Sequence, residues 1–261
     1  MLFITVIFAW VNIWFITFII WFFAISNVFI DSGFGSALIQ KKDRDENDYC
    51  TVFYVNLIAS ITFYAFLFAS AQYIAIFFEQ PLLKSILRVL GLTLIINAIA
   101  STSRNKLYVA VDFKTITKIS LCAAITSGCI ALYCAFTGFG VWALVIQSLV
   151  SSIVTSTLLF YFVRWFPRQK LSKASFNRLF GFGSKILIAS LITVIYDNIY
   201  NLIIGKKFSA SSLGLYTKGN DFASFAGSTT ASILQSVAFP VLSEVQDDLP
   251  RLLNAYSRYI K

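Results

Sequence analysis

The stretch Ile119–Val163, ISLCAAITSGCIALYCAFTGFGVWALVIQSLVSSIVTSTLLFYFV, runs for 45 residues without an Asp, Glu, Lys or Arg. An α-helix needs roughly 20 apolar residues to cross the hydrocarbon core of a bilayer, so this run is long enough to cross twice. Phe136-Thr137-Gly138-Phe139-Gly140 places a turn near its middle. The stretch therefore reads as a helical hairpin of two membrane spans, Ile119–Phe136 and Val141–Val163.

Stretches of the same character recur along the chain. It is 58% hydrophobic, 17% aromatic and only 13% charged, with a mean hydropathy of +0.77. This balance lies outside that of soluble domains. A β-barrel would show short segments alternating apolar and polar, whereas these segments are continuously apolar. The fold class is an all-α, polytopic transmembrane helical bundle.

Working outward from the hairpin gives about seven spans. Met1–Ile30 carries no charge and is too long and too aromatic for a signal-peptide core, so it reads as a span already under way at residue 1. A turn-prone Asp31-Ser32-Gly33-Phe34-Gly35 and a polar loop Gln40–Asp48 follow. The second span is Tyr49–Phe78 and the third Leu82–Ser103. After the hairpin come Phe182–Ile204 and Leu213–Phe239, then a polar tail from Val241 to Lys261.

Charge follows the alternation of these loops. Three Lys or Arg lie in Gln40–Asp48, four in Arg104–Lys118 and five in Arg164–Arg178, and far fewer in the loops between. The rich loops are expected to face the cytoplasm, which also accounts for the net charge of +9 without a nucleic-acid partner. The count places Met1 outside and Lys261 inside, so either this topology is wrong or the chain is a fragment. The acidic run Asp43, Asp45, Glu46 and Asp48 reads as a solvated charge run.

Polar side chains inside spans are costly and mark contacts or wet cavities. Ser190, Thr193, Asp197 and Asn201 are spaced by three, four and four, which stacks them on one helical face. Lys218, Asp221, Ser224, Ser228, Ser232 and Gln235 form a second stripe within about 120° of arc. The stripes are read in two ways: as hydrogen-bonding glue between helices, or as the lining of a hydrated path. Lys218 and Asp221, at i and i+3, can neutralise each other; alternatively Lys218 meets an anionic cargo group while Asp197 or Asp221 titrates. The strip Ser120, Ala124, Gly128, Ala131 and Ala135 reads as close helix packing, which Ser148, Ser151, Ser152 and Thr155 either extend or leave to face a cavity. Trp142 and Trp165 sit at span edges, as interface anchors do.

Enzymatic signatures are missing from the sequence: no P-loop, no GxSxG and no histidine. Cys50, Cys122, Cys129 and Cys134 lack metal-ligand or CxxC spacing and read as small hydrophobes. Neither an enzyme nor a metal or other cofactor is expected.

Several segments, in order, resemble the polysaccharide exporters or flippases of the multidrug/oligosaccharidyl-lipid/polysaccharide superfamily, in the branch handling colanic- or teichuronic-acid type polymers. They are Asp31-Ser-Gly-Phe-Gly-Ser-Ala-Leu-Ile-Gln40, Phe139-Gly-Val-Trp-Ala-Leu144, Phe180-Gly-Phe-Gly183, Leu213-Gly-Leu-Tyr216, and Phe239-Pro-Val-Leu-Ser243 with Gln246-Asp247-Asp248. The resemblance implies part of a two-lobed carrier of twelve or more helices in the bacterial cytoplasmic membrane. Its cargo would be undecaprenyl-diphosphate-linked oligosaccharide, moved by alternating access with H+ or Na+ as a possible coupling ion. Residues 1–165 would be most of the first lobe, 166–181 the cytoplasmic connection, 182–240 the start of the second lobe and 241–261 a cytoplasmic tail. Family members carry a further helix before this segment and several after it, which again implies truncation. On that resemblance Asp197, Asn201, Lys218, Asp221, Ser224, Ser228 and Gln235 are the candidate cavity residues. A multidrug or small-solute exporter of the same superfamily and a non-transporting remnant are the competing readings.

Overall fold

The computed structural model describes residues 26–29, 33–41, 43–77, 81–207 and the pairs 215–216, 219–220 and 222–223, with side chains at 77, 197–198, 201–202 and 205–207 outside that set. Apart from 26–29 and those three pairs, the expected first and seventh spans lie outside these residues. Among the described residues the helices are α1 Phe34–Gln40, α2 Glu46–Phe77, α3 Leu82–Val109, α4 Phe113–Phe136, α5 Trp142–Val163 and α6 Lys173–Lys207. Five of them, α2 to α6, are long and apolar enough to cross a membrane. They correspond to the second through sixth spans of the sequence reading, and the described residues contain no strand.

Local chemistry sets the helix ends. Asp48, the third residue of α2, accepts a hydrogen bond from the Asp45 amide at 3.1 Å, one half of a capping box. Asp112 caps α4 by accepting from the Thr115 amide at 3.1 Å and its hydroxyl at 2.6 Å. Those two bonds hold the Asp112 carboxyl below its ordinary value. In the hairpin turn Gly138 (φ +85°) and Gly140 (φ +57°) take backbone conformations that favour glycine. The Phe139 amide closes the turn on the Cys134 carbonyl at 3.1 Å.

α3 packs against both α2 and α5, and α5 in turn against α4. Two hydrogen bonds cross these seams at membrane depth: Asn56 Nδ2 donates to Ser101 Oγ at 3.0 Å, and Ser156 Oγ to the Ile96 carbonyl at 3.0 Å. These are the glue that polar groups provide between helices in lipid. Apolar residues turned outward, including Ile58, Phe66, Leu121, Ile125, Ile153 and Ile192, form a surface suited to acyl chains.

The ends of the three basic segments meet at one end of the bundle. Lys106 Nζ donates to Glu46 Oε1 at 2.8 Å, and Trp165 Nε1 donates to Glu46 Oε2 at 2.9 Å. Lys106 also lies 4.4 Å from the Tyr49 ring centre and 4.8 Å from that of Trp165. The Ser172 amide, just before α6, donates to Thr51 Oγ1 at 3.2 Å. Lys41 pairs with the fully buried Asp48, and Arg44 donates to the Leu38 and Ile39 carbonyls at the end of α1. Phe34, Leu38, Val52, Phe53, Trp165 and Leu179 form the apolar core beneath these charges.

Four local expectations change here. Phe34 and Gly35 begin a helix and do not form a turn, because α1 is wedged against α2, α3 and α6. Arg104 and Lys106 belong to the last turns of α3; only 110–112 separate it from α4. Asp48 departs from the solvated run because it is fully buried against Lys41, whereas Asp43, Asp45 and Glu46 stay exposed, Glu46 with Lys106 and Trp165 as partners. Trp165 is buried in the core, where its indole bonds Glu46, and is no interface anchor.

The start of α1 meets α6 backbone to backbone. A Cβ on Gly183 would stand 2.9 Å from the Gly33 carbonyl oxygen, whereas one on Gly181 would meet nothing within 4 Å. Gly183→Ala is expected to lower stability by about 1–3 kcal/mol through forced displacement. Gly181→Ala is expected to be neutral or to stabilise by up to about 1 kcal/mol through helix propensity. Thermal unfolding of both variants in one detergent checks the contrast. Asp48→Leu leaves Lys41 without its partner and is expected to cost about 3 kcal/mol, most of it recovered in the double variant Lys41→Met, Asp48→Leu. The same melts read this second pair.

Candidate functional site

The stripe expected on the sixth span lies along α6. Ser190 is half-buried, and the exposed Thr193 returns its hydroxyl to the Ala189 carbonyl at 3.0 Å, a bond within its own helix. Asp197 and Asn201 fall on the same helix, with side chains outside the described set. Lys218, Asp221, Ser224, Ser228 and Gln235 lie outside the described residues altogether. The described residues therefore include no side chain of the seven cavity candidates.

A different polar site is present between α3, α4 and α5, as an open cleft of about 590 Å³. That volume is within the range of roughly 300–1,000 Å³ that small-molecule sites occupy. α3 contributes Thr93 and Asn97, one turn apart, and α4 contributes Ala124 and Ser127. Gln147, Ser148, Ser151 and Ser152 come from α5 at a spacing that keeps them on one face. Most of these positions lie near the middle of their helices, at the depth of the hydrocarbon core. Every lining residue is uncharged.

Hydrogen bonding divides this lining in two. Thr93 and Ser127 hydroxyls are satisfied by carbonyls of their own helices, at 2.6 Å from Leu90 and 3.3 Å from Ala124. Asn97, Gln147, Ser148, Ser151 and Ser152 have no hydrogen-bond partner among the described residues. These five side chains are partly or fully exposed in the open cleft, where water or a polar ligand can satisfy them.

The small-residue strip on α4 has a role other than the expected one. The buried face of α4 is Ile119, Ala123, Ser127 and Cys134, one position away from the strip. Ser120 and Ala124 are exposed, and a Cβ on Gly128 would meet nothing within 4 Å. Small side chains here leave room, and Ala124 forms part of the cleft wall. Ser148, Ser151 and Ser152 take the cavity-facing option left open by the sequence.

Asn97 and Gln147 went unnoticed in the sequence because each is a lone amide within an apolar run. A search for amides without a charged neighbour, on helices adjoining a small-residue strip, would have found both. Among the described residues no group of His, Cys, Asp or Glu could hold a metal, and all four cysteines are free.

Comparison with known proteins places this geometry in context. The Teichuronic acid biosynthesis protein TuaB of Bacillus subtilis (strain 168) is 24% identical over 221 residues, 84% of this chain and 46% of its own. The Succinoglycan biosynthesis transport protein ExoT of Rhizobium meliloti (strain 1021) is 24% identical over 220 residues, 84% of this chain and 44% of its own. The Lipopolysaccharide biosynthesis protein WzxC of Escherichia coli (strain K12) is 23% identical over 235 residues, 88% of this chain and 47% of its own. The chain thus spans about half the length of the curated relatives it matches. No solved structure matches it. The family model for polysaccharide biosynthesis proteins matches residues 15–261, and with five apolar spans among the described residues this chain belongs to that family as a multi-pass membrane protein.

Proposed function

We propose that this chain is the part of a flippase that carries lipid-linked oligosaccharide across the cytoplasmic membrane for polysaccharide export. The observation that carries the reading is the uncharged polar cleft at mid-membrane depth in a member of a polysaccharide biosynthesis family. A carrier of sugar needs hydrogen-bonding groups inside the bilayer, and the cleft gathers Asn97, Gln147 and three serines without a protein partner among the described residues. The names of the relatives, which include biosynthesis and transport of polysaccharides, support the same class. An exporter of cations would be expected to use carboxylates, and the cleft has none.

In this reading the basic end, where Lys41, Arg44, Lys106 and Arg168 gather, faces the cytoplasm. Residues 1–165 belong to a first lobe, 166–181 connect it to a second, 182–240 begin that lobe and 241–261 form a cytoplasmic tail. The cargo is an undecaprenyl-diphosphate-linked oligosaccharide. Lys218 receives its anionic diphosphate, and Asp197 or Asp221 couples transport to H+ or Na+. Asn201, Ser224, Ser228 and Gln235 complete the lining on the second lobe.

Translocation of a fluorescent undecaprenyl-diphosphate oligosaccharide in proteoliposomes tests these roles. Lys218→Ala and Asp197→Asn are each expected to lower the rate at least tenfold, about 1.4 kcal/mol in the barrier. Wild-type rates in both variants would remove the two residues from the mechanism.

A further inference from the structure

We infer that the α3–α4–α5 cleft is a subsite for the uncharged sugar rings of the cargo, with Asn97 and Gln147 as its specificity-determining side chains; this rests on the flippase reading above. Three observations select the ligand class. The lining carries carboxamides and hydroxyls and no charged group. A diphosphate carries negative charge that a low-dielectric site must balance, and with no Lys or Arg in the lining the charged part of the lipid is not the occupant. An acyl or isoprenoid chain would leave the unpaired groups of Asn97, Gln147, Ser151 and Ser152 unsatisfied.

A sugar ring satisfies them. Each carboxamide presents a donor and an acceptor side by side, the arrangement that pairs with adjacent ring hydroxyls, which donate and accept in turn. Asn97 and Gln147 stand on different helices, α3 and α5, so a ring between them would be held from two sides. The serine hydroxyls of α5 rotate to donate or accept and tolerate several sugar stereochemistries. Ser156, bonded to the Ile96 carbonyl one residue before Asn97, ties α3 to α5 and fixes the separation of the two walls.

This assigns the two chemical parts of the cargo to different places. Headgroup sugars enter a neutral cleft within the first lobe, and the diphosphate lies outside it. Selectivity for glycan over bare lipid then resides in Asn97 and Gln147, and not in any charged residue.

Binding to the full chain in nanodiscs tests the assignment, using undecaprenyl diphosphate alone and undecaprenyl diphosphate bearing a neutral trisaccharide. Wild type is expected to bind the trisaccharide lipid about tenfold more tightly, about 1.4 kcal/mol. The double variant Asn97→Leu, Gln147→Leu is expected to bind both lipids equally, at the wild-type affinity for the bare lipid. Unchanged affinity for the bare lipid reports an intact fold, and Gln147→Asn, which keeps the amide, is expected to keep part of the preference. A double variant that retains the full tenfold preference overturns the subsite. So does a wild type that binds both lipids equally, and that result leaves the flippase reading standing on its own translocation assay. A wild type that binds neither lipid overturns the flippase reading and the subsite together.

Discussion

Hydrocarbon offers no hydrogen bonds, so every polar group placed in it needs a partner from the protein, from water or from a ligand. This one constraint explains the unbroken helices α2 to α6, whose backbones satisfy themselves. It also explains why Asn56 finds Ser101 and Ser156 finds the Ile96 carbonyl across helix seams. Asn97 and Gln147 line the open cleft without such a partner, and the buried Asn56 Oδ1, Arg88 Nε, Thr102 Oγ1 and Ser103 Oγ also lack one among the described residues.

The same constraint places charge at the ends. Lys41, Glu46, Asp48 and Lys106 meet where α2 begins and α3 finishes, with Trp165 and Ser172 brought in from the segment between α5 and α6. Glu46 is more than half exposed, so its pair with Lys106 contributes under about 1 kcal/mol. Its importance is geometric, since one carboxylate joins α2, α3 and the start of the connection to α6. Nearby, Gly33 and Gly183 allow α1 and α6 to touch through their backbones. The two glycine-containing motifs most distant from one another among the described ones thus form a single contact.

The helical hairpin was legible because its two signals, a charge-free run and a glycine turn, are local in sequence. Span positions on α2, α3 and α6 were legible for the same reason, although the helices extend beyond the apolar stretches into their charged flanks. The roles of Asp48, Glu46 and Trp165 were hidden because their partners depend on tertiary contact; Glu46 and Trp165 are 119 residues apart. Small residues on α4 were visible, but whether they admit a helix or leave a cavity depends on what stands opposite. For the cleft the serines of α5 were noticed, whereas Asn97 and Gln147 lacked any periodic companion to mark them.

Water access at membrane depth is the central claim, and single cysteines measure it most directly. In a background lacking Cys50, Cys122, Cys129 and Cys134, cysteine is placed at Asn97, Gln147, Ser151 and, as lipid-facing controls, Ile125 and Ile153. A membrane-impermeant, water-soluble thiol reagent is then applied to the chain in sealed vesicles and, separately, in opened membranes. Labelling of the three cleft positions well above the two controls is the predicted result. Cleft positions as unreactive as Ile125 and Ile153 would contradict the account.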